Sequence, residues 1–99
     1  MTHAVREPAT GKALTEVALA GPDDVTQATA AAEAAQREWV ALPYERRAQV
    51  FRAAARLFEE HAAELAQWIV RETGSIAPKA EVEIRMAVGI LHHSASMPT

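Results

Sequence analysis

The chain has 99 residues, a formal net charge of −3 at pH 7 and no cysteine. This length suits one small domain or part of a larger one, and the acidic balance disfavours a nucleic-acid partner, which usually requires a clustered basic face. Without cysteine, these residues contain no disulfide, no thiolate metal site and no cysteine nucleophile.

Alanine dominates the apolar residues. The chain has 23 alanines, whereas only 26 residues are Val, Ile, Leu, Met, Phe, Trp or Tyr. Alanine favours helix, but a buried alanine removes little apolar area from water. We therefore expect helices that form readily but need a partner surface for stability.

Membrane insertion is not expected. No apolar run approaches the roughly 18 residues of a membrane-spanning helix, and the first residues contain no apolar segment after a basic stretch. The sequence is typical of a cytoplasmic protein without a membrane partner.

The first predicted element is a β-hairpin over residues 4–20. Its turn is Pro8-Ala9-Thr10-Gly11, in which proline presets φ and glycine can adopt positive φ. After the turn the bulky apolar residues are Leu14, Val17 and Leu19. The second strand is therefore short, and we expect it to lie on another surface.

A first helix is predicted over residues 22–40. Proline is tolerated in the first turn of a helix, and the aspartates that follow Pro22 face the positive end of the helix dipole. Apolar residues then recur at steps of three and four, which predicts one narrow stripe. The stripe is Val25, Ala28, Ala32, Ala35 and Trp39.

Two further helices are predicted over residues 43–60 and 61–73. Leu42-Pro43 ends the first helix, and Gly74 is the expected left-handed cap of the third. The predicted buried face of the second helix is Val50, Phe51, Ala54, Leu57 and Phe58. The predicted stripe of the third is Ala62, Leu65, Ala66 and Ile69.

A fourth helix is predicted over residues 76–97. Ser75 is a candidate N-cap, Pro78 lies in the first turn, and Glu81 and Arg85 can pair on the outer face. The predicted buried face is Ala80, Ile84, Ala87, Val88 and Leu91. The fold class is thus mostly α with an N-terminal β-hairpin.

Glycines and histidines give no sign of a catalytic, cofactor or metal site. The four glycines, at positions 11, 21, 74 and 89, are too far apart to form a loop that binds phosphate. His92 and His93 are adjacent, so their rings diverge on a helix, and His61 with Glu64 equally describes the start of a helix.

Other polar and aromatic clusters have plainer explanations. Trp39 and Trp68 lie on or beside apolar stripes, where aromatic residues usually pack. The arginines at 46, 47, 52 and 56 are interrupted by glutamates, and the carboxylate neighbours Glu33 with Glu38 and Glu81 with Glu83 lie on polar faces. We therefore predict no catalytic, cofactor-binding or metal-binding residue in this chain.

Several segments, in this order, resemble the start of the aldehyde dehydrogenase superfamily, and together they cover almost the whole chain. The first two are Glu7-Pro8-Ala9-Thr10-Gly11-Lys12 and Ala20-Gly21-Pro22-Asp23-Asp24-Val25. The next is Trp39-Val40-Ala41-Leu42-Pro43-Tyr44-Glu45-Arg46-Arg47, and the last are Glu64-Leu65-Ala66 and Glu72-Thr73-Gly74. Gly74-Ser75-Ile76 followed by Pro78-Lys79-Ala80 is similar to the branch that oxidises benzaldehyde-like aromatic aldehydes.

The resemblance implies that residues 1–99 are the N-terminal part of an α/β nucleotide-binding domain in a longer, homo-oligomeric enzyme. In that family a cysteine thiolate attacks the aldehyde, hydride passes to NAD or NADP, and a glutamate-activated water releases the carboxylic acid. No position here matches those functional residues. We expect this chain to be scaffold, partnered by the remainder of the enzyme chain, inactive and without bound cofactor when alone.

Two other interpretations stay open at this point. The chain could be a standalone helical module that binds a protein partner through its alanine-rich stripes. It could also be a natural truncated subunit that joins a full-length oligomer. The reading frame after Thr99 separates the first of these from the enzyme, because an enzyme continues into a cysteine-bearing segment.

Overall fold

The structure is a computed structural model that describes residues 1–97. Two strands precede four helices: β1 (Thr2–Arg6), β2 (Ala13–Ala18), α1 (Pro22–Ala41), α2 (Tyr44–Glu60), α3 (Ala62–Thr73) and α4 (Ala77–Ser96). This arrangement confirms the predicted class, mostly α with an N-terminal β-hairpin.

The hairpin is an antiparallel pair of strands closed by a short turn. The register pairs Thr2 with Ala18, and an irregularity follows Val5. Gly11 has a φ of 73°, the left-handed conformation expected for the glycine of this turn. The hairpin therefore spans residues 2–18, so it begins two residues before the predicted start, and the predicted extension to residue 20 is not strand.

Helix α1 begins after Gly21, whose backbone N–H donates to Asp24 Oδ2 at 2.8 Å. The side chain of Asp24 thus satisfies one N–H that the start of a helix leaves without a partner in the helix. No residue of α1 is buried within the described part of the chain. Near its C-terminal end, the Trp39 ring lies edge-on to Phe51 of α2, with 6.3 Å between centroids.

Helices α2, α3 and α4 form a layer in which α4 packs against both of the others. The ends of α2 and α4 are joined by the Tyr44 hydroxyl, which donates a hydrogen bond to the carbonyl oxygen of Ala95. Small side chains let these helices approach closely. The buried residues among positions 1–97 are Ala48, Ala55, Ala80, Ile84 and Ala95.

The predicted buried face of α2 is partly wrong. Val50 is 51% exposed and Leu57 is 55% exposed, whereas Ala48 and Ala55 are buried. The inner face of α2 therefore combines buried Ala48 and Ala55 with half-buried Phe51 and Phe58. The small alanines allow α4 to pack closely against it. The predicted face of α4 is confirmed: all five residues are buried or half-buried.

The turn between α3 and α4 differs from prediction in one respect. Gly74 is the left-handed cap of α3, with a φ of 75°, as predicted. Ser75 is not the N-cap of α4; that position is Ile76, which makes no side-chain capping bond. Instead the Thr73 hydroxyl donates to Ser75 Oγ at 2.8 Å, because Ser75 is still within reach of the last turn of α3.

The ion pair predicted on the outer face of α4 is also different. Among the described residues, Glu81 and Arg85 form no ion pair, and the pair on this helix is Lys79 with Glu83, 2.9 Å apart. The two pairs have the same spacing of four residues. They differ in order, since the observed pair has the cation nearer the helix N-terminus.

The molecule is flat and extended for its length. Its radius of gyration is 17.3 Å, against about 13 Å for a compact domain of 100 residues. Its solvent-accessible surface is 7608 Å², against roughly 5,500 Å² for a compact monomer of this mass. These residues therefore leave a large area exposed that a compact domain would bury.

Candidate functional surface

No metal or acid–base centre is found among residues 1–97. No group of three or more histidine, cysteine, aspartate or glutamate side chains could hold a metal ion in that part of the chain. His61 Nδ1 lies 3.3 Å from Glu64 Oε2, and both side chains are more than half exposed. This pair lies at the junction of α2 and α3, as expected of residues at the start of a helix.

The charged residues considered as candidates make ordinary surface pairs. Arg52 pairs with Glu45 at 3.4 Å, and Arg37 pairs with Glu33 at 3.8 Å. These side chains are between 45% and 80% exposed, so each pair contributes little to stability. The arrangement gives neither a built anion site nor a pair of interacting carboxylates.

A polar cluster joins the hairpin turn to α3. Arg71 Nε donates to Glu7 Oε2 at 3.0 Å, and the Glu7 side chain is only 18% exposed. The Arg71 guanidinium also lies 4.9 Å from the centre of the Trp68 ring, in cation–π geometry. Sequence analysis missed this cluster, since Glu7 and Arg71 are 64 residues apart and their spacing carries no signal.

The pKa of the Glu7 carboxyl lies below its ordinary value of 4.5. The main cause is the hydrogen bond from Arg71, and a second comes from the Thr10 hydroxyl, 2.9 Å from Glu7 Oε1. Both donors stabilise the ionised carboxylate. Glu7 is therefore held as an anion between the turn and α3.

Beside this cluster the turn contacts the C-terminal cap of α3. A Cβ placed on Gly74 would lie 3.3 Å from Pro8 Cβ, tighter than an ordinary van der Waals contact. Gly74 thus ends α3 through its left-handed backbone. Because it has no side chain, it also leaves room for the hairpin.

Helices α1, α2 and α4 each present several apolar side chains to solvent. On α4 an exposed stripe at steps of four runs through Val82, Met86 and Ile90, which are 42%, 61% and 61% exposed. Val50 and Leu57 form a similar face on α2, and the apolar stripe predicted on α1 is exposed except for half-buried Trp39. Such contiguous apolar surface is typical of an interface.

A groove of about 730 Å³ lies between α3 and α4. Four of its lining residues are alanines, and Arg71, Glu81 and Arg85 also line it. The lining contains no nucleophile and no cluster of metal ligands. In shape and chemistry the groove suits packing of a protein segment better than catalysis.

Residues 1–97 contain no glycine-rich turn between a parallel strand and a helix. The sheet is a two-stranded antiparallel hairpin, whereas a dinucleotide site needs a parallel strand, a glycine-rich turn and a helix start. Gly11 lies in the hairpin turn, Gly21 and Gly74 lie at helix ends, and Gly89 lies inside α4. No helix in residues 1–97 is both long enough and apolar enough to cross a membrane.

The described residues thus form a docked hairpin, helices packed through alanines, and exposed apolar faces. The model of the aldehyde dehydrogenase family matches residues 1–99. The chain belongs to the aldehyde dehydrogenase family.

Two similar proteins have names that specify an aromatic aldehyde as substrate. The chain is 44% identical over 96 residues to a vanillin dehydrogenase of an Amycolatopsis species, covering 97% of this chain and 20% of that protein. It is 39% identical over 93 residues to an NAD(+) benzaldehyde dehydrogenase of Pseudomonas putida, covering 94% of this chain and 19% of that protein.

A solved structure has the same fold. It is an NAD-dependent benzaldehyde dehydrogenase from Corynebacterium glutamicum, 36% identical, with a TM-score of 0.93. The alignment covers 97% of this chain and 21% of that one. The chain therefore spans about one fifth of the length of the relatives that it matches.

Proposed function

We propose that residues 1–99 are the N-terminal part of the nucleotide-binding domain of an NAD-dependent enzyme that oxidises an aromatic aldehyde to a carboxylic acid. The observation that carries the proposal is the match to vanillin and benzaldehyde dehydrogenases over 97% and 94% of the chain. The preference for NAD over NADP rests on the relatives whose names specify NAD.

In this proposal the chain acts as scaffold. It has no cysteine, so the nucleophile of the reaction belongs to the remainder of the enzyme. None of the glycines in residues 1–97 lies in a turn between a parallel strand and a helix, so we assign them no contact with the cofactor. The exposed apolar faces of α1, α2 and α4 would pack against the remainder of the enzyme and hold its loops in place.

The exposed area supports this role. The accessible surface of the chain is 7608 Å². This exceeds the surface of a compact monomer of the same mass by roughly 2,000 Å². An obligate interface buries an area of that order and is rich in apolar side chains. A standalone helical module would use the same faces, but nothing specific in the structure favours it over the enzyme.

The complete gene product, expressed with whatever follows Thr99, tests the proposal. We expect NAD reduction with vanillin or benzaldehyde, and a lower kcat/KM with malonate semialdehyde, the substrate named for relatives of 35% and 34% identity. NADP replaces NAD in a parallel assay, and the isolated 99-residue chain is the inactive control. A reading frame that stops at Thr99, or a preference for the aliphatic aldehyde, contradicts the proposal.

We further propose that the parent enzyme is a cytoplasmic homo-oligomer that binds neither membranes nor nucleic acid. The family resemblance supports the oligomer, and the net charge of −3 agrees with the lack of a nucleic-acid partner. Cell fractionation and light scattering of the purified gene product test the two statements separately. Recovery in the membrane fraction or as a monomer would contradict them.

A further inference from the structure

The hairpin contacts the helical layer through a cluster that we name the hairpin latch, formed by Glu7, Pro8, Trp68, Arg71 and Gly74. We propose that the hairpin latch couples the folding of β1 and β2 to α3, with Glu7 as the positioning residue that closes the turn and binds the helix at once. The latch concerns the conformation of the N-terminal segment and adds no group to the reaction.

Glu7 lies where the local turn and the tertiary contact meet. Its backbone N–H donates to the Lys12 carbonyl at 2.9 Å, and its own carbonyl accepts from Gly11 N–H at 2.7 Å. Its two carboxylate oxygens have different donors: Oε1 accepts from the Thr10 hydroxyl, and Oε2 accepts from Arg71 Nε. The same side chain therefore fixes the turn and places it against α3.

Arg71 is held in position on its other side. Its guanidinium lies 4.9 Å from the Trp68 ring centre, and its side chain is 41% exposed. A guanidinium that stacks on an aromatic face and donates to a carboxylate loses less conformational freedom per contact than a lysine would. Trp68 thus limits the orientations from which Arg71 can reach the hairpin.

The hairpin needs this contact. A two-stranded hairpin alone is at best marginally stable in water, and no residue of β1 or β2 is buried among residues 1–97. The turn approaches α3 closely at Gly74, where an added Cβ would lie 3.3 Å from Pro8 Cβ. Strand pairing and docking on α3 therefore support each other.

Hydrogen exchange of the complete gene product, followed by mass spectrometry, tests the coupling. Glu7→Gln removes the charge and keeps the shape, and Glu16→Gln is the matched control on an exposed position of β2. We expect E7Q to accelerate exchange of residues 2–18 by roughly threefold to tenfold, the range that an ordinary hydrogen bond contributes, while α4 is unchanged. Arg71→Met should reproduce this effect, and the double variant should add little to it.

Two results would overturn the coupling: E7Q exchanging like E16Q, or exchange rising equally in the hairpin and α4. The second result would make Glu7 a residue of general stability. If E7Q yields no folded protein, Arg71→Lys takes its place, because it keeps the charge and loses the planar contact with Trp68. The same acceleration confined to residues 2–18 is expected.

Discussion

The hydroxyl of Tyr44 donates a hydrogen bond to the carbonyl oxygen of Ala95, which lies 51 residues further along the chain. Tyr44 is the first residue of α2, and Ala95 lies in the last turn of α4. The last carbonyls of a helix have no donor within the helix. This bond therefore satisfies a helix end and aligns α2 antiparallel to α4 at the same time.

Tyr44→Phe should loosen this end of the helix pair and leave the ring packing intact. Loss of one hydrogen bond costs about 1 kcal/mol, which corresponds to a roughly fivefold increase in amide exchange of residues 92–97. Thr26→Val is the control, because the Thr26 hydroxyl bonds only to the Pro22 carbonyl of its own helix. Exchange of residues 92–97 in Y44F equal to that of the parent protein would contradict the prediction.

Ala55→Leu should destabilise the helical layer. Ala55 is fully buried on α2, and adding a large side chain to a packed interior costs about 1–3 kcal/mol. The same substitution at Ala34, which is exposed on α1 beside the Glu33–Arg37 pair, is the control. Urea denaturation of the complete gene product measures both. A urea midpoint of A55L no lower than that of A34L would show that the interior around Ala55 accommodates a larger side chain.

Periodicity predicted the helices well and the orientation of α2 less well. The predicted stripe on α4 faces inward, and its residue Ile84 is buried. On α2 two overlapping apolar faces compete, and Phe51 and Phe58 lie between them. One face adds Val50 and Leu57, and the other adds Ala48 and Ala55. Hydropathy favours the first, but close packing against α4 selects the second.

The hairpin latch could not be predicted from spacing. The cap at Gly74 could be predicted, because a glycine after the last helical residue is the usual left-handed cap. The pairing of Glu7 with Arg71 depends on how the turn and α3 meet, and no local pattern encodes a contact between residues 64 positions apart. The predicted absence of catalytic and cofactor residues from this chain stays a prediction that activity measurements must test.

The Glu7 carboxyl should titrate below its ordinary pKa of 4.5, because Arg71 and then Thr10 donate hydrogen bonds to the ionised form, with Arg71 and Lys12 adding positive charge. Because the pKa of Glu7 is lower in the folded state, the ionised carboxylate contributes its full stabilisation at pH values above the ordinary pKa. It is lost as pH falls through the folded value. The hairpin latch should therefore hold at neutral pH and release in acid.

Carboxyl NMR, with the Glu7 signal assigned through E7Q, measures this pKa directly. Arg71→Met should raise it towards 4.5, and Arg56→Met, at an exposed position of α2, should leave it unchanged. An unchanged Glu7 pKa in R71M would mean that the ion pair is absent in solution.

The isolated 99-residue chain should melt over a broad temperature range. Val82, Met86 and Ile90 are exposed on α4, and no residue of α1 is buried in the described part of the chain, so few contacts hold the elements together cooperatively. Circular dichroism should show a gradual loss of helix, and an apolar dye should bind before heating. A sharp transition without dye binding would favour a standalone module.

Two glycine-to-alanine substitutions should change stability in opposite directions. Gly74 has a φ of 75°, and its Cβ would lie 3.3 Å from Pro8 Cβ, so alanine there adds the cost of a left-handed conformation, about 1–2 kcal/mol, to a crowded contact. Gly89 lies within α4 with nothing inside 4 Å of an added Cβ, and alanine there should stabilise the helix by roughly 0.5–1 kcal/mol.

Urea denaturation of both variants in the complete gene product gives the comparison, and Gly74→Ala combined with Pro8→Ala separates its two costs. The double variant should recover the part due to crowding and keep the part due to φ, because only the neighbouring side chain has been removed. Full recovery would mean that the backbone at position 74 can leave the left-handed region, and no recovery would mean that the turn does not press on α3. Loss of stability in G89A would indicate that the remainder of the enzyme lies against that face of α4.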